Sequence, residues 1–424
     1  MSSFILFGDI CTSADKNTVT TFENSSAVCA DGICKGVFPV IPAQYQGLPV
    51  HDYGGMLVIP GMVDLHIHAP QYAYRGLGMD MELLDWLDHY AFPEEAKYAD
   101  LAYADRAYDI FADAVRNSAT TRLSVFGTLH RQATELLMDK LEETGVVSFI
   151  GKLNMDRNSP DNLRDSSAEE SIAETERFLC ETQGRYQNTY PIITPRFVPS
   201  CTDALMKGLG DLSQNRGVCV QSHLSENQGE IAWVRELCPD TRFYGEAYDR
   251  YGLFGDPEKT IMAHCVWSSD EEIDLMQKNG VYIAHCPASN MNVASGIAPI
   301  RRYLDRDMHI GLGSDVAGGH SESIFTAMVD ALQASRLYWR IVDESQKPLS
   351  VAEVFYMATK GGGEFFGQVG AFEEGYEFDA VVIDDSLLPH PQALSLRERL
   401  ERAIYLSGDI KALNAKFCRG KQII

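Results

Sequence analysis

The run Val63-Asp64-Leu65-His66-Ile67-His68 sets two imidazoles two positions apart at the end of an apolar stretch. In an extended strand alternate side chains share a face, so His66 and His68 point together while Ile67 points away. Such a pair is ready-made for a metal ion, although a lone His-x-His is more often two packed or surface histidines. The other histidines shift that balance. Of the 11 His residues, five fall at or near the ends of apolar runs, namely His66, His68, His223, His264 and His285, and a further run closes on Asp315. If those ends meet in space, three or four imidazoles and a carboxylate surround one centre. That donor set suits Zn²⁺ or Fe²⁺ and suits the oxygen-seeking Mg²⁺ or Ca²⁺ poorly. Glu226 follows His223 by three residues. A Glu there commonly complements a helix N-terminus, but next to a metal ligand it is also placed to move a proton of bound water. Cys265 and Cys286 directly follow His264 and His285, and period two sends both to the opposite face as packing residues. His51, His89, His130, His309, His320 and His390 have no comparable placement; His320 stands out only for its glycine-rich surroundings.

Convergence requires a scaffold. Eight apolar runs, at 62–68, 119–126, 146–151, 190–197, 217–223, 260–264, 281–285 and 309–315, alternate with amphipathic stretches. Parallel strands with crossover helices read this way, and eight of them predict a (β/α)₈ TIM barrel in preference to an open doubly wound sheet. In a barrel the strand ends gather on one rim, which is where the histidines fall. Helix starts are signalled by Ser167 with Glu170, Ser268 with Glu271 and Ser350 with Glu353, and a helix stop by Gly280. The first 60 residues read as strands at 4–10, 18–22 and 27–37, the last broken by the hairpin dipeptide Asp31-Gly32. Past Gly367 the chain returns to turn and strand character at 370–375, 378–383 and 416–424. Neither end is large enough to bury a core alone. The expectation is therefore a small β-sandwich domain built from 1–60 plus 368–424, around a barrel domain at 61–367, with a linear two-domain split as the alternative.

Composition bounds the function. The chain has 424 residues, 45% of them hydrophobic and 23% charged, which excludes a disordered protein. A formal net charge of −24 repels polyanions, so no nucleic-acid partner is expected and any nucleic-acid-derived substrate should be small. No run approaches the roughly 18 apolar residues of a membrane span, and residues 1–10 carry no basic leader, so a cytoplasmic protein is expected. Ten cysteines without a Cys-x-x-Cys pair read as reduced and mostly buried. There is no His-Glu-x-x-His helix, no phosphate-binding Gly-x-x-x-x-Gly-Lys loop, no Gly-x-Ser-x-Gly elbow and no Pro-Cys-x-x-Cys deaminase signature.

The block Pro60-Gly61-Met62-Val63-Asp64-Leu65-His66-Ile67-His68 resembles the opening of the amidohydrolase superfamily, and its continuation Ala69-Pro70-Gln71-Tyr72 is similar to that of the guanine-acting branch. Ser222-His223-Leu224-Ser225-Glu226-Asn227, Ala263-His264-Cys265, Ala284-His285-Cys286-Pro287-Ala288-Ser289-Asn290 and Gly313-Ser314-Asp315-Val316-Ala317-Gly318-Gly319 resemble later blocks, over about residues 56–383. The resemblance implies a metal-dependent barrel with a β-sandwich from both termini. It also implies one ion per chain, Zn²⁺ with Fe²⁺ as alternative, on His66, His68, His223, His264 and Asp315. Two-metal relatives carry a bridging lysine after the fourth strand, where this chain has Thr194-Pro195-Arg196-Phe197. It assigns catalysis to Glu226, His285 and Asp315, and contact with a purine to His68, Gln71, Arg196, Phe197, His223 and Glu226. His320 occupies a position where an aromatic residue is common. The implied reaction is hydrolytic deamination of guanine to xanthine and ammonia, by a homodimer. The alternatives are a related hydrolase acting on another amino- or chloro-substituted ring, such as 8-oxoguanine, a pterin or a triazine, and a barrel retained only for binding, which would have no reason to keep every ligand.

Overall fold

The structure is a computed structural model, described here for residues 2–406 and 412–424. Four long strands begin the chain: β1 (Phe4–Asp15), β2 (Thr18–Ala30), β3 (Ile33–Phe38) and β4 (Val50–Pro60). Asp31 and Gly32 adopt φ of +55° and +81°, the left-handed pair that a two-residue hairpin demands, and join β2 to β3.

Ten strands follow: β5 (Met62–His68), β6 (Thr120–Phe126), β7 (Val147–Gly151), β8 (Leu153–Asn154), β9 (Thr189–Pro191), β10 (Thr194–Pro195), β11 (Val220–Leu224), β12 (Thr260–His264), β13 (Tyr282–His285) and β14 (Ile310–Leu312). Their main ladders are two parallel four-stranded sheets, β5-β6-β7-β9 and β11-β12-β13-β14. Single contacts cross the seams: Ile193 bridges Val220, Asp315 N donates to His66 O at 2.8 Å, and His68 N donates to Val316 O at 3.1 Å. The expectation of one closed eight-strand ladder is thus met only in part, since among the described residues the ladder is interrupted at both seams. The fourth expected strand, 190–197, is where it breaks most. It splits into β9 and β10 because Pro191 and Pro195 each lack the N–H a central strand must donate.

The last strands, β15 (Ala380–Ile383), β16 (Leu413–Cys418) and β17 (Lys421–Gln422), return to the first. Together the ends form one seven-stranded sheet in the order β17-β16-β15-β4-β1-β2-β3. That sheet curls. Phe4 of β1 and Phe417 of β16 lie 5.2 Å apart although two strands separate them, and Cys34 N of β3 donates to Tyr376 O just before β15. The two layers expected of a sandwich are therefore opposite parts of one continuous ladder, closed over Leu6, Val58, Phe378 and Val382.

Helix starts follow their caps. Ser167 Oγ accepts Glu170 N at 3.2 Å, and Ser350 and Glu353 form a complete capping box. The expected cap at Ser268 is corrected by one residue: Ser269 caps helix Asp270–Asn279, accepting Glu272 N, so the box does not involve Glu271. Gly280 ends that helix at φ +66°. The helix Leu396–Leu406 was not expected in a segment read as turns and strands, yet its buried Leu396, Leu400, Ala403 and Ile404 keep helical spacing. Two buried cations fasten the terminal sheet to the rest. Arg122 of β6 holds Asp379 through Nε at 2.6 Å and Nη2 at 2.9 Å, and Lys416 Nζ donates to the carbonyls of Val115, Ser118 and Thr120 at 3.0, 3.0 and 3.2 Å.

Candidate metal centre and substrate cavity

His66 and His68 leave β5 with their ring Nε2 atoms 3.2 Å apart, while Ile67 packs into the outer core as expected. Asp64 secures this strand end. Its carboxylate accepts His66 N at 3.1 Å, Ser314 N at 3.0 Å and Ser314 Oγ at 2.5 Å, tying β5 to the chain after β14. Burial pushes Asp64 up to about 7, with the Ser314 hydrogen bonds opposing. The other donors arrive from three strand ends. His223 Nε2 lies 3.3 Å from His68 Nε2, His66 Nε2 lies 3.1 Å from Asp315 Oδ1, His68 Nε2 3.4 Å from the same oxygen, and His264 Nε2 3.6 Å from Asp315 Oδ2.

The six atoms, four Nε2 and the two oxygens of Asp315, stand 3.1–3.6 Å apart in these pairs and fall into two overlapping groups that share His66, close to the roughly 3.0–3.5 Å between neighbouring ligands about 2.0–2.2 Å from a common ion. The protonation pattern fits too. Burial lowers His66, and lowers His68 and His223 well below the usual histidine value, keeping neutral imidazoles with lone pairs. His223 Nδ1–H donates to Arg196 O at 2.6 Å and His264 Nδ1–H to Asn290 Oδ1 at 2.9 Å, which turns each Nε2 lone pair toward the cluster. Burial opposes ionisation of Asp315, yet His66, His264 and His68 hold its carboxyl well below the usual carboxylate range. Burial opposes protonation of His264 as well, but Glu226 and Asp315 beside it raise it above the usual histidine value, so three neutral imidazoles and a fourth drawn toward the cationic form surround the carboxylate, an arrangement that a divalent cation in place of that proton stabilises. The residues present therefore fit a metal ion.

Strict alternation fails at the end of β12. His264 has φ +74° and Cys265 +49°, so the chain turns at the end of β12 and swings His264 inward although Ala263 already faces the apolar interior shared by both sheets. Along β13 alternation persists, and Tyr282, Ala284 and Cys286 share that interior. The reading of Cys286 as opposite the site is thereby corrected: its Sγ lies within 4.8 Å of ligand atoms of His66, His264 and Asp315. Burial raises its thiol well above the usual range, as suits a packing residue. Cys265 packs in the outer core, as expected. His285 is buried but is not among the residues lining the cavity; burial, with His264 adding to it, pushes it down to about 3.

A cavity of about 40 Å³ opens beside the cluster, walled by His68, Gln71, Arg196, Phe197, His223, Glu226, His264 and Asp315. All of the expected substrate contacts thus meet in one place. Leu83, Trp86 and Leu87 supply an apolar wall. Glu226 Oε2 lies 3.4 Å from His264 Nε2, and Oε1 accepts Ser295 Oγ at 3.0 Å. Burial pushes Glu226 up to about 7, with His264 opposing and Glu230 and Asp315 adding to it. Its backbone is set by Glu230, which accepts Glu226 N at 3.0 Å and Tyr244 OH at 2.7 Å. Sequence reasoning missed Glu95, Glu230, Asn290 and Ser295. Only Glu230 carried a signal, as the third residue after Asn227 in a capping box. His320 lies exposed, outside the cavity wall, with Nδ1 3.5 Å from Asn292 Nδ2.

The fold and this donor set place the chain in a class. A family model described as the amidohydrolase family matches residues 57–417, and the chain belongs to that family. Among named relatives, guanine deaminase of Dictyostelium discoideum is 39% identical over 382 residues, covering 88% of this chain and 84% of that one. Guanine deaminase of Homo sapiens is 36% identical over 90% of this chain and 85% of its own. A crystal structure of guanine deaminase from C. acetobutylicum, with guanine bound in its active site, is 44% identical and superposes with a TM-score of 0.96 over all of both chains.

No helix of the described residues is long and apolar enough to cross a membrane.

Proposed function

We propose that this protein is a metal-dependent aminohydrolase that converts guanine and water to xanthine and ammonia. The observation that carries the reading is the meeting of the imidazole and Asp315 donors, Glu226 and the Arg196, Gln71 and Phe197 groups around one small cavity. Full-length similarity to a guanine deaminase with guanine in its active site supports the substrate. We read His66, His68, His223, His264 and Asp315 as the ligands of one ion, Zn²⁺ or Fe²⁺, on a closed (β/α)₈ barrel at 61–367, with 1–60 and 368–424 as the second domain.

Such an ion supplies Lewis acidity that lowers the pKa of water from 15.7 towards roughly 7. Glu226 takes a proton from the attacking water and returns it to the ring nitrogen next to C2, which makes that carbon electrophilic. Asp315 holds the incoming oxygen, takes its second proton and passes that proton to the amino group; the C2–N bond breaks, ammonia leaves and the oxygen stays as the 2-oxo group of xanthine. Gln71 and Arg196 hold the polar edge of the ring, and Phe197 offers it an aromatic face. His285, buried near His264, helps Asp315 orient the incoming oxygen in this reading. The exposed apolar side chains of Leu337, Ile341 and Val342, 47%, 75% and 60% exposed, are where we place the contact of a homodimer, and we keep a cytoplasmic location as part of the proposal.

The test is ammonia release from guanine by metal-loaded protein, followed with the ultraviolet change from guanine to xanthine. Turnover that requires the metal supports the reading. Silence on guanine with a full metal site would keep the hydrolase and move the substrate to another amino- or chloro-substituted ring.

A further inference from the structure

Arg196 and Gln71 are the groups that the proposed function turns on the purine, and neither chooses its own orientation. Both answer to Glu95, whose side chain is fully buried. Arg196 donates to it through two parallel bonds, Nη1 to Oε2 at 2.5 Å and Nη2 to Oε1 at 3.0 Å. Gln71 Nε2 donates to Oε1 at 2.8 Å, while Gln71 Oε1 accepts Ala317 N at 3.2 Å, so both ends of the amide are assigned. Phe92, three residues before Glu95, places its ring 5.0 Å from the guanidinium carbon. Glu95 is not itself part of the cavity wall. It lies within a continuous helical run, 83–99, whose earlier residues Leu83, Trp86 and Leu87 do form part of that wall. One carboxylate therefore joins an apolar wall of the cavity to both of its polar ring contacts.

A guanidinium on a flexible stem presents its donors in many directions, and pairing two of them with a carboxylate removes most of that freedom. The donors that remain on Arg196 keep one geometry toward the cavity. A reader of a planar ring needs this, because misplacement by about 1 Å can cost roughly a hundredfold. We propose that Glu95 is a positioning residue for substrate recognition, locking the Arg196 guanidinium and the Gln71 amide into one fixed set of hydrogen-bonding groups for the polar edge of the purine. This rests on the reading of the cavity as a guanine site.

Steady-state kinetics on guanine test it, with metal-loaded wild type, Glu95→Gln, Glu95→Asp, Arg196→Ala and the Glu95→Gln/Arg196→Ala double variant, each assayed for metal content. Glu95→Gln should raise KM roughly ten- to hundredfold, with kcat changed several-fold less and the metal content of the wild type retained. Glu95→Asp, which keeps the charge but cannot span both partners, should fall between. In the Arg196→Ala background Glu95→Gln should add little, because Glu95 acts largely through Arg196. KM does not depend on the folded fraction of a preparation, so a destabilised variant still reports. A Glu95→Gln KM within twofold of wild type, or a full additional loss on top of Arg196→Ala, would overturn the inference while wild-type turnover upheld the function. A wild type silent on guanine would overturn the proposed function, and this inference with it.

Discussion

Glu226 carries the proton traffic of the proposed reaction, and its surroundings make its behaviour predictable. Burial raises its carboxyl to about 7, and His264 beside it pulls the other way, as a cation in the cluster would further. Only the deprotonated carboxylate can accept a proton from water. As pH falls through that pKa the base is lost, so kcat/KM should drop on the acid side with a limb at or below about 7. A kcat/KM that stays level down to the pH at which the protein unfolds would contradict this. Glu226→Gln should lose roughly 10²- to 10⁴-fold in kcat while retaining its metal, measured by single-turnover kinetics and metal analysis together. Ser295 and Glu230 hold Glu226 in place through side chain and backbone; the Glu230 contact belongs to a local capping box, whereas 226 and 295 are too far apart in the chain for a local pattern to reveal their contact.

Between elements, the decisive contacts are two buried cations reaching from one sheet to another. Arg122 sits on β6 and its partner Asp379 just before β15, both almost wholly buried. Asp379→Ala removes the buried partner and leaves Arg122 with only the partly exposed Glu377 at 2.8 Å, so it should destabilise by about 1.5–3 kcal/mol, seen as a lower urea midpoint. Lys416 supplies the donors for Val115 O, Ser118 O and Thr120 O, where helix Leu101–Asn117 hands the chain to β6. Lys416→Met keeps the apolar stem but leaves three carbonyls without that donor, and should cost about 2–3 kcal/mol in the same measurement. A loss under 0.5 kcal/mol in either variant would show that the terminal sheet is held by its apolar packing alone.

For the molecule as a whole, a metal ion bound only by the folded chain must stabilise all of it. Chelator-stripped protein should lose turnover and melt at a lower temperature, and Zn²⁺ at about a thousand times its dissociation constant should restore about 4 kcal/mol. Equal melting of stripped and reloaded protein would argue against the cluster as a metal site. Much of this molecule was legible in its residues. His66, His68, His223, His264 and Asp315 stand at strand ends, and a strand end is marked locally, by an apolar run and the turn that follows. Asp31-Gly32 and the Ser350–Glu353 box were legible for the same reason. Tertiary structure decided what depends on partners far along the chain. Glu95 looks like any acidic residue of a helical run until Arg196, 101 residues later, folds against it. Cys286 lies nearer the metal ligands than the sequence reading placed it, because β13 keeps its alternation with Tyr282, Ala284 and Cys286 on the interior side. The split of β9 from β10 was written in Pro191 and Pro195, but the curl that closes one seven-stranded sheet over its own core was not. Periodicity records which face of a strand is buried; it does not record against what, and that is set only when distant segments compete to exclude the same water.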